Sequence, residues 1–271
     1  MALYSCNAST ISRAKGRSSI ASAAYRAGEK LDDKRQGIMW DFTQKRGVLH
    51  SEIILPANAP AWANERGALW NAAELREDKS TRRNEALVAR DFRLALPHEA
   101  TAEQRLTITR EFGKYLVERY GGAVDFAIHM PDRKGDDRNF HAHVMMTSRR
   151  MGGDGFTTKI RELDDFKKGP LEIAQIREMW EGIQNRLLDE LGVARVSCKS
   201  LDAQGSDREA TKHMGVAATA MERKGEMTEL GELNREITAR NDNREKLKDE
   251  RAEISAQIFD LDAERSKRAD Q

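Results

Sequence analysis

Phe140-His141-Ala142-His143-Val144 places two imidazoles two residues apart, and a third, His129, stands one short loop upstream. In a strand successive side chains point to opposite faces, so His141 and His143 share a face while Ala142, Val144 and Met146 take the other. The preceding segment keeps that parity, with Val124, Phe126 and Ile128 in an apolar row and Asp125, Ala127 and His129 in the opposite one. Paired as a hairpin through the polar loop 131–137, the two strands bring three of the chain's six histidines onto one solvated face. Three nitrogen ligands around one divalent ion leave coordination positions open, which is the pattern of a working site rather than a closed structural one. Hydrogen bonding on a polar sheet face explains a lone His-x-His equally well. The third histidine in matching parity is what favours a metal.

An ion held this way polarises a phosphoryl or carbonyl oxygen, and a nucleophile is then the missing part. Of the four tyrosines, Tyr115 and Tyr120 follow the apolar stripe of a helix and Tyr4 lies in an N-terminal strand. Tyr25 differs. At about 100° per residue it lies nearly opposite the Ile20, Ala23, Ala24 and Ala27 stripe, on the face of Ser18, Ser22 and Glu29, with Arg26 adjacent. An exposed tyrosine is unremarkable alone, but beside a basic segment and a three-histidine cluster it leads the candidates. Arg13, Lys15, Arg17 and Arg26 lie near it in sequence, and Arg149, Arg150, Lys159 and Arg161 follow the histidine strand. Local basic patches suffice to guide phosphates to a site. Arg13, Lys15, Arg17, Arg149 and Arg150 are accordingly expected to hold a nucleic-acid backbone around it, with Arg26 and Lys159 as further contacts. Solvated surface charge is the competing reading for each.

The elements that must position these groups are legible from periodicity. Leu3–Ser9 has strand character, and Ser18 or Ser19 caps a helix bearing Tyr25. Val48–Leu55 reads as a strand closed by Pro56, Pro60 to Asp78 as a helix, and Ala86–Leu96 as a long strand with Asp91 and Arg93 on its polar side. Thr101–Tyr120 is a helix ended by Gly121-Gly122, followed by the histidine hairpin and a turn at Gly152–Gly155. Leu171–Leu191 is another amphipathic helix. This interleaving predicts an α+β fold, an antiparallel sheet with helices packed on one face and the site on the other. The sequence suggests one domain over 1–225. From 226 to 271 the residues are almost wholly charged or polar, predicting a helical extension or linker. The run to Gln271 carries no cap or stop signal, which predicts further sequence beyond it.

Composition narrows the class. Charged residues make up 34% and apolar residues 39% of 271, and the net charge is +1. No apolar run approaches the roughly 18 residues that span a bilayer, and the N-terminus has no signal-peptide pattern; a cytoplasmic, non-membrane protein is expected. Cys6 and Cys198 are too few and too isolated for a disulfide framework or a thiolate zinc site. A metal would be held by nitrogen and oxygen.

An ordered set of segments resembles the MobA/MobL relaxases of mobilisable and conjugative plasmids: Gly16–Ser19 through Ala23-Ala24-Tyr25-Arg26-Ala27-Gly28, Ser51–Pro56, Leu69-Trp70-Asn71, Ala89-Arg90-Asp91 with Leu94–Pro97, and Asn139–His143. Asp207–Gly215 with Met221-Glu222 is also similar. The resemblance implies a His-hydrophobe-His endonuclease fold and a single-tyrosine relaxase, with Tyr25 as nucleophile and His129, His141 and His143 as metal ligands. Asp91 stands where many members have Glu, and its place on the polar side of its strand favours orienting an imidazole over acting as a base. The implied reaction is metal-dependent, strand-specific nicking of single-stranded origin-of-transfer DNA. The tyrosine forms a 5′-phosphotyrosyl link, which is religated after transfer. Phosphoryl oxygens favour Mg²⁺ or Mn²⁺, and three imidazoles shift the preference toward Mn²⁺ or later metals. Auxiliary relaxosome proteins, a type IV secretion coupling protein and delivery to a recipient bacterium are further implications. A rolling-circle replication initiator would share the chemistry, but there the tyrosine typically follows the histidines. A metal-stabilised, non-catalytic DNA-binding module and a hydrolase using activated water are the readings from other classes.

Overall fold

The computed structural model describes residues 3–132 and 137–269. Arg133–Asp136, in the loop expected to join the histidine strands, lie outside the described residues, as do the terminal pairs 1–2 and 270–271. In chain order the elements are β1 (Cys6–Ser12), α1 (Ser19–Ala27), β2 (Lys30–Asp33), β3 (Ile38–Asp41), β4 (Val48–Ile54), α2 (Arg66–Asp78) and β5 (Leu87–Ala95). They continue with α3 (Ala102–Tyr120), β6 (Gly122–His129), β7 (His141–Gly152), β8 (Gly155–Lys159), α4 (Lys168–Glu190), α5 (Gly215–Arg223) and α6 (Glu229–Ala269). The main sheet runs β1-β5-β7-β6-β4 with every pairing antiparallel, β8 pairs with β7, and β2 and β3 form a separate hairpin.

Strand alternation sorts the sheet's side chains into two cores. On one face Phe92, Leu94, Val124, Phe126, Ile128, Ala142, Val144 and Met146 meet Phe112, Leu116, Tyr120, Ile176, Trp180 and Ile183 of α3 and α4. Phe112 sits edge-on to Phe92 and Trp180, with centroids 6.0 and 5.6 Å away, contacts of about 1 kcal/mol each beyond burial. α3 begins with a capping box between Thr101 and Gln104 and stops at Gly121 in the left-handed region, φ 67°.

The opposite face corrects the expectation of helices on one side only. Ile20, Ala23 and Ala24 of α1 and Leu69, Trp70 and Ala73 of α2 pack there against Ile11, Val88, Ala89, Ala123 and Met145. The small or apolar residues at the middle of that face cannot be left in water at low cost. The end bearing the histidines is polar and partly open. Asp125, on the same face, is buried and satisfied by the Arg66 guanidinium, with Nε 2.9 Å from Oδ2, and by Trp70 Nε1 at 2.8 Å. An ionised carboxylate at that depth requires such partners.

The chain forms two compact units, Met1–Cys198 and Lys199–Gln271. The change of composition near Gly225 therefore falls inside the second unit. Residues before Gly225 join that unit through polar contacts with α6. Asn241 bonds Glu209 N at 2.8 Å, Asn234 bonds Lys212 N at 2.7 Å, and Arg240 and Arg244 both pair with Glu209. No described helix is long and apolar enough to cross a membrane.

Candidate active site

The histidines meet because of register. His129 on β6 lies directly opposite His141 on β7, and His143 faces Ala127 two pairs along. Their ring centroids are 5.3 to 5.6 Å apart, and one ring nitrogen from each falls within 4.8 Å of the others. This is a cluster capable of coordinating a metal ion. Burial pushes the His129 pKa down to about 4, with Lys45 adding to the effect against the opposing Arg26 carbonyl, and burial also lowers His141. Both rings are thus neutral at pH 7, the form that ligates. His141 Nδ1 lies 3.0 Å from the Asn139 carbonyl and donates to it, directing Nε2 at the cluster.

Asp91 supports the third ring. It sits on β5 beside β7, buried, with Oδ2 3.5 Å from His143 Nδ1 and 2.8 Å from Arg26 Nη2. Burial raises its pKa, but the nearby His143 ring and the Arg26 charge outweigh that and leave it below the usual carboxylate range. Arg93, directly across from His143 in the β5–β7 ladder, is exposed beside the cluster.

The C-terminal end of α1 delivers Tyr25 to this place. Ser18 caps the helix by accepting from Ala21 N, and Gly28 ends it in the left-handed region at φ 68°. A side chain at Gly28 would also meet Val48 Cγ2 at 3.3 Å, so the tight turn demands glycine. The last carbonyls of a helix lack intrahelical partners, and here the site supplies them. The Arg26 carbonyl lies 2.7 Å from His129 Nε2, and the Tyr25 carbonyl accepts from Lys45 Nζ at 2.7 Å. The negative end of the helix dipole therefore faces the histidine cluster. The Tyr25 side chain is 51% exposed. Its ring stands edge-on to Phe42 at 5.3 Å, and Lys45 Nζ sits 3.8 Å from its centroid.

The basic residues divide. Lys15 and Arg17 are exposed, whereas Arg13 is spent internally on Glu74 and Asp78, both at 2.8 Å, and on the Arg83 carbonyl. Arg26 serves Asp91. Arg149 and Lys159 converge on Glu77 at 2.6 and 3.1 Å, and Arg150 pairs with Glu162. At about 3.3 Å per residue, Arg149 is also roughly 20 Å along β7 from His143. Arg13, Arg149 and Lys159 are thus committed to carboxylates of the framework. The sequence reading passed over Lys45 and Arg93 as site residues. Strand parity alone exposes Arg93, while Lys45 lies in an aperiodic loop that gives no such signal.

The MobA/MobL family profile matches residues 17–224. Mobilization protein MobL of Acidithiobacillus ferridurans is 35% identical over 251 residues, covering 83% of this chain and 65% of that protein. Conjugal transfer protein TraA of Agrobacterium fabrum is 33% identical over 278 residues, which are 90% of this chain and 24% of the relative. The chain thus spans less than two thirds of the length of these relatives. A solved structure from work on the molecular basis of vancomycin resistance transfer in Staphylococcus aureus superposes with a TM-score of 0.63 at 28% identity, covering 73% of this chain and 100% of that one. The family match runs from just before α1 to the end of α5 and takes in Tyr25, Asp91 and the three histidines: the chain belongs to the MobA/MobL family.

Proposed function

We propose that the chain is the strand-transferase part of a plasmid relaxase, nicking single-stranded origin-of-transfer DNA with Tyr25. The reading is supported chiefly by one observation: an exposed tyrosine at the end of a helix whose Arg26 carbonyl meets His129 of the three-histidine cluster. The names of the relatives, mobilization and conjugal transfer proteins, agree with it.

Tyr25 Oη attacks the scissile phosphorus in line, the bond from phosphorus to the 3′ oxygen breaks, and the phenolic proton is transferred in net to that oxygen. A 5′-phosphotyrosyl link and a free 3′ hydroxyl result. The phosphodiester energy is conserved, so the reverse attack reseals the strand. His129, His141 and His143 would hold the divalent ion, Mg²⁺ or Mn²⁺, which when bound supplies neutralisation of charge on a non-bridging phosphoryl oxygen. Asp91 keeps His143 oriented and Arg26 in place. Residues 1–225 constitute the catalytic part in this reading and 226–271 a charged helical extension. It works in the bacterial cytoplasm with auxiliary relaxosome proteins and a secretion coupling protein.

The test is incubation with a single-stranded oligonucleotide carrying the cognate nick region, then denaturing electrophoresis. Wild type gives a protein–DNA adduct that chelator abolishes, and Tyr25→Phe gives none while still binding the strand. An adduct in Tyr25→Phe assigns the nucleophile elsewhere, and cleavage without an adduct makes the protein a hydrolase.

A further inference from the structure

We propose that Lys45 is a positioning residue that couples the nucleophile to the metal cluster, an inference that rests on Tyr25 being the nucleophile. One ammonium makes three contacts: 2.7 Å to the Tyr25 carbonyl, 3.8 Å to the centroid of the Tyr25 ring, and 3.5 Å to His129 Nε2. His129 Nε2 already serves the Arg26 carbonyl at 2.7 Å. The ammonium is therefore a neighbour of the cluster rather than a committed partner of the imidazole.

The loop around Lys45 is built to hold it there. Phe42 N donates to the Glu29 carbonyl just past α1, and Lys45 N closes a turn on the Phe42 carbonyl. Gly47, at φ 88°, accepts from Met130 N, the residue after His129. The segment is thus pinned to α1 at one end and to β6 at the other, with glycine at a left-handed position where an added Cβ would crowd Met130 Cγ at 3.1 Å. The ring of Tyr25 is fixed between the Phe42 edge and the Lys45 cation, and an ammonium over an aromatic face is attracted by the ring quadrupole.

Two consequences have opposite signs. A fixed positive charge beside His129 opposes a divalent cation, so its removal tightens metal binding. The same removal frees the Tyr25 ring and its carbonyl, so cleavage slows. A residue of merely structural importance would weaken both together.

The experiment compares Lys45→Met, which keeps the aliphatic stem, Lys45→Gln, which keeps a donor for the carbonyl, and Lys45→Arg, which keeps the charge. Mn²⁺ affinity is measured by titration calorimetry without DNA, and adduct formation is followed in single turnover at saturating Mn²⁺ and DNA. For Met and Gln, Mn²⁺ should bind about tenfold more tightly, from the Coulomb repulsion removed, while the single-turnover rate falls about fivefold or more with the lost ring contact. Lys45→Arg should stay near wild type in both. An unchanged rate in Met and Gln, or metal affinity falling together with rate, overturns the proposal. If Met proves unfolded, Gln and Arg decide the question alone. Tyr25→Phe run in parallel separates the cases, because an adduct there overturns the nucleophile assignment whatever the Lys45 variants do.

Discussion

Asp91 carries its charge where burial would normally neutralise it, because Arg26 and His143 both lean on one oxygen, Oδ2. Its charge bears on two things at once, the His143 ring of the histidine cluster and the end of the helix that presents Tyr25. Asp91→Asn keeps the shape but drops the charge, and outer partners of ligating histidines typically govern about 10- to 100-fold in metal affinity. We expect Mn²⁺ binding to weaken by at least about tenfold in that variant, with adduct formation restored at saturating Mn²⁺; calorimetry and electrophoresis measure the two. Unaltered affinity would leave Asp91 no role in holding His143. Tyr25→Phe should change stability by less than about 0.5 kcal/mol in urea titration, since the lost hydroxyl belongs to a half-exposed ring. A large loss would mean that the hydroxyl is structural.

At the scale of elements, the long amphipathic pieces were readable in the sequence and the short ones were not. α3 stands within a residue of its expected span, because the Thr101 cap and Gly121 stop are local signals that packing does not override. β1 sits three residues later than its composition suggested, since its register is set by pairing from Cys6 opposite Leu94 to Ser12 opposite Leu87. The β2–β3 hairpin was missed. Its four-residue strands carry mostly charged or exposed side chains, and its packing depends on Leu31 and Trp40 joining the core built by α1 and α2. The far end of the sheet is tied to α2 by Glu77, whose carboxyl is 3% exposed and bonded to Arg149 and Lys159. Burial raises its pKa, but these two cations outweigh that and hold it below the usual value. A carboxylate with a depressed folded pKa contributes stability that is complete above its unfolded pKa and is lost as pH falls through the folded one. Glu77→Gln should therefore cost about 3 kcal/mol near pH 7, and the gap to wild type should close as pH falls below about 4.5. Urea titrations at pH 7 and at acid pH measure it; a gap that persists in acid would place the effect in packing and not in charge.

Over the whole molecule, a net charge of +1 is divided between guanidiniums consumed inside the framework and cations left in water. The sequence shows the clusters but not that division, because whether an arginine is spent depends on carboxylates far away in the chain: Glu74 and Asp78 for Arg13, and Glu77 for Arg149. The histidine centre was legible because its geometry needs only strand parity and one antiparallel register. If single-stranded DNA runs past Tyr25, the exposed Lys15 and Arg17 are two N-terminal cations able to neutralise phosphates, and each should account for about 0.7 of the log–log dependence of affinity on salt. Fluorescence anisotropy with a labelled strand at several salt concentrations should show the slope flattening by about 1.4 in Lys15→Ala/Arg17→Ala, with the fold intact. Arg13→Ala should behave differently. Removing it leaves the buried Glu74 short of its charge partner, a change that costs about 3 kcal/mol or more, so its effect should be seen first in denaturation. A salt slope that flattens in well-folded Arg13→Ala, and is unchanged in the double variant, would show that the strand crosses the α2 side of the molecule instead.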